Sequence, residues 1–242
     1  MYKIIIAICS IVFTMSVAVA GSIDLPNVKP GDRWVCKSVT ESGRNGWIEK
    51  HKEFTVIRNT PTSVLLSIKE VGSKLPPDEQ LVGSDWSVFK NINGEEVIVS
   101  RPFKFPLDQG KTWEIDYTED HPSKERKNQR IHLVYRVVGW EDLEVPAGKF
   151  KAMKIEAEGN WKAEIEPSVG ATASTKAGPS GSTTIVQTNK ALPKSVTGRI
   201  YKAFWYEPSV KRFVKIIEED FNVQGARNGR FTMELESFKV SE

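Results

Sequence analysis

The chain is poor in the residues on which most site chemistry depends. It holds two cysteines and three histidines in 242 residues. Cys9 lies in an apolar leader, so Cys36 stands alone in the rest of the chain and no internal disulfide can form. A Cys-x-x-Cys redox pair and a thiolate metal site within one chain are excluded for the same reason. His51, His121 and His132 fall in separate segments, without the spacing that places two imidazoles on one helix face. Gly-rich phosphate loops of the Walker or dinucleotide type are missing. Gly178-Pro179-Ser180-Gly181-Ser182 resembles a Gly-x-Ser-x-Gly nucleophile elbow only superficially, because its spacing is wrong. Glu156, Glu158, Glu164 and Glu166 alternate along one side, which is the pattern of a solvated face rather than an acid/base pair. No catalytic residue, no metal ligand set and no cofactor follow from these residues.

Excess charge of one sign is also missing. Lys3 is the only charged residue among the first 20, so the remainder carries 33 Lys and Arg against 31 Asp and Glu. That balance gives no pull towards nucleic acid or an anionic membrane. Helix-period stripes are absent after the leader, and no second apolar run approaches the ~18 residues a spanning helix needs.

What is present begins with an export signal. Lys3, the apolar run Ile4–Val19 and the small residues Ala18 and Ala20 form the positive, apolar and cleavage regions of a signal peptide. Cleavage after Ala20 leaves a chain starting at Gly21, in the periplasm or secreted, with no transmembrane segment. An uncleaved anchor is the rival reading. A lipid anchor on Cys9 is set aside because Ile8 precedes it where a small residue is wanted. About 220 residues then suffice for one large β domain or two small ones, and the sequence reads as one domain over residues 21–242.

Strand patterns follow one another along that domain. Leu133, Tyr135 and Val137 alternate with His132, Val134, Arg136 and Val138. Asn93-Gly94 is a type I′ hairpin signal, and Val145-Pro146-Ala147-Gly148 reads as the tip of a hairpin between two long strands. Pro102 and Pro106 forbid a central strand between them. Phe103, Phe105 and Leu107 still alternate, so that loop should lay an apolar side on the sheet. Asp120–Asn128, with Lys124, Arg126 and Lys127, reads as a solvated hairpin loop, its alternative being a basic contact patch. Cys36 shares a face with Trp34 and reads as a small buried hydrophobe, the alternative being a reactive thiol. Residues 167–198 carry almost no bulky apolar side chain and predict a long mobile loop of low complexity; a linker between two domains is the alternative. The fold class is all-β: a single domain with a curved antiparallel sheet, open barrel or sandwich-like, of about ten to twelve strands.

Aromatics are the distinctive resource, with seven tryptophans spread over the chain. Tryptophan fills large β cores and also lines ligand grooves. Trp205 and Tyr206 sit beside a Pro turn on a strand with large aromatics on both faces. They and Trp113 are the candidate ligand contacts.

Two segments also resemble a known family. Glu144–Ile155 is similar to a V-P-A-G-x-F hairpin, and Phe204-Trp205-Tyr206-Glu207-Pro208 through Val214-Lys215 to the W-Y-x-P strand that follows it. Phe105–Trp113 and Gly31–Trp34 fit the upstream elements. This order resembles the domain-of-unknown-function 3108-like family of exported bacterial proteins, from Gly31 to Phe221 with gaps. The resemblance implies a curved antiparallel β domain in the envelope and carries no catalytic residues. The Pro167–Gly198 insertion departs from its pattern.

Three functions remain. The first is non-enzymatic binding of an apolar or amphipathic small molecule on the curved sheet. The second is a structural or interaction module that pairs with another envelope protein. The third is a hydrolase whose site is assembled from distant strands.

Overall fold

The computed structural model describes residues 21–42, 46–166, 169–178, 181–190 and 194–242. The expected leader lies outside the described residues. Strands account for nearly all of the regular structure. In chain order they are β1 (Arg33–Ser42), β2 (Trp47–Asn59), β3 (Ser63–Glu70), β4 (Asp78–Gly83) and β5 (Val88–Ile92). Then come β6 (Glu95–Ser100), β7 (Thr112–Ser123), β8 (Arg126–Val145), β9 (Gly148–Ile165) and β10 (Val169–Gly178). The last four are β11 (Gly181–Lys190), β12 (Lys194–Glu207), β13 (Arg212–Phe221) and β14 (Arg227–Lys239). Among the described residues no helix is long and apolar enough to cross a membrane, which says nothing of spans built from strands.

Ten strands form one antiparallel sheet in the order β4-β3-β2-β1-β14-β13-β12-β9-β8-β7. It is not closed: β4 and β7 are its two edges. β5 pairs with β6, and β10 with β11, as separate two-stranded ribbons. The turn chemistry explains the hairpins. Asn93 and Gly94 take φ of 54° and 90° between β5 and β6. At the β8–β9 tip Val145 stands opposite Gly148, whose φ of 130° lies where side chains rarely go. That tip does not end in solvent. The Ala147 N–H donates to the Leu235 carbonyl in β14 at 2.9 Å, so the sheet curls far enough to bring β8 and β9 back over its middle. Between β9 and β12 the chain leaves the main sheet, and where the sequence reads as a loop β10 and β11 pair with each other as a separate ribbon. β12 begins at Lys194, so Gly198 belongs to the main sheet.

The concave face of this curl carries the core. Trp34, Leu66, Leu133, Tyr135, Ile155 and Leu235 are all at most 2% exposed. The outward Val134 and Val138 of β8 are exposed, as strict alternation requires. Three segments cover the core. Ile23 exchanges backbone hydrogen bonds with Leu107, at 3.1 and 2.7 Å. Phe103 packs edge-on to Phe204 and Tyr206, so the proline-rich loop does lay its apolar side inward. Trp86 meets Trp34 edge-on at 5.6 Å. Cys36 is buried beneath this cover, and burial pushes its thiol up to about 11.

Two polar groups inside the structure had no sequence signal. Arg212 is 6% exposed and has no carboxylate partner among the described residues. Its guanidinium carbon instead lies 4.2 Å from the ring centre of Phe54, 4.7 Å from Phe213, 5.0 Å from Trp86 and 5.3 Å from Trp34. Burial lowers this arginine to about 10, and the ring faces offset part of the cost of keeping it charged. Asp32 clasps the start of β1 to the corner before β13 and to the residues after β14, through Lys211 and Ser241.

Candidate functional site

The covering segments reach only half of the concave face. Beyond Cys36, Ile216 and Phe204, the inward rows continue through Thr40, Phe231, Glu218, Lys202 and Ile200. These line an open cavity of about 550 Å³. The volume falls within the roughly 300–1,000 Å³ usual for small-molecule sites.

Two glycines shape the strands around it. A Cβ on Gly159 in β9 would fall 1.9 Å from the His132 carbonyl oxygen, so β8 and β9 approach here in a way only glycine allows. A Cβ on Gly198 in β12 would fall 2.6 Å from the Trp161 indole nitrogen and 2.1 Å from the Phe221 carbonyl. Trp161, directly opposite Gly198 on β9, therefore lays its ring across β12 towards the end of β13 and forms one wall. Arg126 stacks on that ring, with its guanidinium carbon 4.9 Å from the centroid. The Asp120–Asn128 stretch is a largely exposed hairpin end, as read from the sequence, but its loop is shorter than expected. β7 continues to Ser123 and β8 starts at Arg126, because curling brings this end of the hairpin over Trp161.

The floor mixes apolar and charged groups. Ile200 and Phe231 are partly buried. Lys202 Nζ pairs with Glu218 at 3.2 Å, with side chains 17% and 35% exposed. Tyr117 of β7 is pushed up by burial and drawn back in part by the Lys202 ammonium. An aromatic wall, an aliphatic floor and a shielded ion pair suit a ligand with both apolar and polar parts. A second groove of similar size lies behind the same strands, among His132, Glu158, Arg199 and Tyr201, but its lining is mainly outward-facing polar residues.

The aromatics singled out from the sequence lie elsewhere. Trp113 is 5% exposed, stacks on Tyr135 at 5.3 Å, and donates its indole N–H to the Arg101 carbonyl at 2.9 Å. Tyr206 is 1% exposed and meets Phe103 and Phe105 edge-on at 5.0 and 5.3 Å. It also backs a hollow of about 480 Å³ beside Trp140, Pro208 and Lys211. Trp205 faces the other side of the sheet, 6% exposed. Its N–H donates to Glu141 at 3.1 Å, and Lys154 and Lys215 lie over its ring. The three do not converge, and none lines the open cavity.

Hydrolytic chemistry finds little to build on among the described residues. His51 contacts Glu49 and Glu236, His132 contacts Glu114, and His121 contacts Glu166. No hydrogen bond among the described residues joins a histidine to a serine or threonine hydroxyl. No three His, Cys, Asp or Glu side chains gather there as a metal site requires.

No family model matches the chain, and no curated protein sequence matches it. The resemblance carried by the Val145–Ile155 hairpin therefore gains no support from that side. Three solved structures are similar in fold. A candidate exported protein with a YmcC-like fold from Bacteroides fragilis is 15% identical, with a TM-score of 0.43, over 90% of this chain and 100% of that one. A candidate lipoprotein from Parabacteroides distasonis is 14% identical, with a TM-score of 0.44, over 90% and 100%. A LolA superfamily protein from Nitrosomonas europaea is 11% identical, with a TM-score of 0.30, over 90% and 89%. At these scores the likenesses carry no argument about what the cavity holds.

Proposed function

We propose that this chain is an exported envelope protein that binds an amphipathic molecule in the open half of its concave sheet and catalyses no reaction on it. Export rests on the leader, with cleavage after Ala20. The cavity carries the binding reading: Trp161, Ile200 and Phe231 surround the shielded Lys202–Glu218 pair. Ile48, opposite Thr40 in the β1–β2 pairing, extends an apolar margin past the mouth at 57% exposure. Burying an alkyl chain against such a surface is worth about 0.8 kcal/mol per methylene removed from water.

Calorimetric titration with n-dodecyl maltoside below its micelle concentration tests the reading. Saturable one-to-one binding, lost in Trp161→Ala, is expected. Absence of binding by this and by charged dodecyl amphiphiles overturns it. Mass measurement of protein recovered from the periplasm tests export, with loss of the first 20 residues as the expected result.

A second reading, strand addition by an envelope protein, rests on β4. This edge strand leaves Leu81 57% exposed. Crosslinking through a cysteine placed at Leu81 should then trap one defined partner; random capture argues against it.

A further inference from the structure

The charges around the cavity do not all satisfy one another. Lys202 and Glu218 pair with each other. At the rim, Glu219 pairs with Arg227 and Arg230, and Arg227 with Glu41. Among the described residues two lining charges remain without an ionic partner, one of each sign. Arg126 is held flat on Trp161 by stacking and donates to Gln129, which is uncharged. Asp220 lies over Gly229, its Oδ1 2.8 Å from where a Cβ would stand. The missing side chain at Gly229 thus leaves this carboxylate facing the cavity. Trp161 connects the two positions: it carries Arg126 on its face and reaches across Gly198 towards the Phe221 carbonyl, one residue on from Asp220 in β13.

A lone cation would meet Asp220 and be repelled by Arg126; a lone anion would meet the reverse. A ligand carrying both signs satisfies both. We infer that the cavity selects a zwitterionic head group, its anionic end on Arg126 and its cationic end on Asp220 beside the Phe231 ring, with the apolar part against Trp161 and Ile200. This rests on the amphiphile reading above and narrows it to one class of head group. Charge-assisted contacts to a guanidinium and a carboxylate give direction as well as affinity, and an aromatic face adds attraction for an ammonium.

Four chain-matched amphiphiles test it, each titrated below its micelle concentration: dodecylphosphocholine, dodecyl phosphate, dodecyltrimethylammonium and dodecyl maltoside. The zwitterion is expected to bind about ten-fold more tightly than any of the other three. Arg126→Gln should erase its advantage over dodecyltrimethylammonium, and Asp220→Asn its advantage over dodecyl phosphate. Both variants should melt with the wild type, because neither residue is buried. Equal affinity for all four overturns the inference and leaves the amphiphile reading standing; no binding by any overturns that reading. A preference that survives both variants overturns the roles given to Arg126 and Asp220. Glycerophosphocholine, which lacks the chain, separates the sources. Affinity matching that of dodecylphosphocholine assigns a free zwitterion, and much weaker binding assigns a lipid-like one, with the charge assignment upheld either way.

Discussion

Replacing Asp32 by alanine removes an acceptor that no neighbour can supply. The residue is 2% exposed. It accepts from the Lys29 N–H at 2.9 Å, the Ser241 N–H at 2.7 Å and the Ser241 hydroxyl at 2.8 Å, and it pairs with Lys211 Nζ at 3.2 Å. Truncation leaves two backbone donors and an ammonium without their shared partner. Breaking a buried pair costs about 3–5 kcal/mol. Lys211 keeps a hydrogen bond to the Ser241 carbonyl and is 14% exposed, so the lower end, about 3 kcal/mol, applies. At about 2–4 °C per kcal/mol for a domain of this size, the melting midpoint should fall by about 6–12 °C. Thermal unfolding followed by tryptophan fluorescence at pH 7 measures it. A midpoint within about 2 °C of wild type refutes the clasp. The pH dependence gives a second check. Burial alone would raise this carboxyl, but the hydrogen bonds from Ser241, Lys29 and Lys211 outweigh it and hold the group below its usual 3.8. A group depressed in the folded state stabilises fully above its unfolded pKa and loses that contribution as pH falls through the folded value. The wild-type and Asp32→Ala midpoints should therefore converge below about pH 4.

Other residues give shorter tests. Arg212→Met should melt within a few degrees of wild type, because it fills the aromatic cage without a buried charge. Arg212→Lys should melt lower, since a compact ammonium is more strongly hydrated and cannot lie flat on four rings. Gly159→Ala should cost about 1–3 kcal/mol in denaturant unfolding, because its Cβ meets backbone that cannot yield without moving β8. Cys36 should resist a thiol reagent at pH 8 in the native protein and react at once in denaturant, as its burial and raised pKa require. Rapid native labelling would contradict that placement.

The parts of this fold that could be read from the sequence are those fixed locally. Alternation sorted Leu133, Tyr135 and Val137 from Val134 and Val138, because a strand's period is two wherever the ladder is regular. Asn93-Gly94 and Pro146–Gly148 announced their turns through backbone freedom alone. Alternation fails at bulges, and these carry no composition signal. The register slips between Val35 and Cys36, between Val137 and Gly139, and between Trp205 and Tyr206. Strand order was equally hidden, because β1 finds its partner in β14. The cavity was hidden for the same reason. Trp161 forms a wall only because Gly198 leaves space opposite it, and Arg126 looked solvated until the curl placed it over Trp161. The aromatic strand around Trp205 drew notice by composition, yet dense aromatics there mark packing on both faces. The sparser Trp161 stands where the cover ends.

The seam between β1 and β14 bears on when this protein can fold. Arg33 pairs with Lys239 and Thr40 with Phe231, so among the described residues the two halves of the sheet, β4 to β1 and β14 to β7, share a ladder only along that line. β1 can pair with β2 early, but its ladder with β14 waits until Arg227–Lys239 has been synthesised. Contacts of such long range fold slowly, and until they form both halves present bare edges that invite wrong pairing. For a chain proposed to be threaded across a membrane, that delay is useful: the central sheet cannot lock while Arg227–Lys239 is still on the near side. The same dependence makes the last strand a point of vulnerability, since a nick before Arg227 would unfasten the sheet at its middle rather than fray it at an edge.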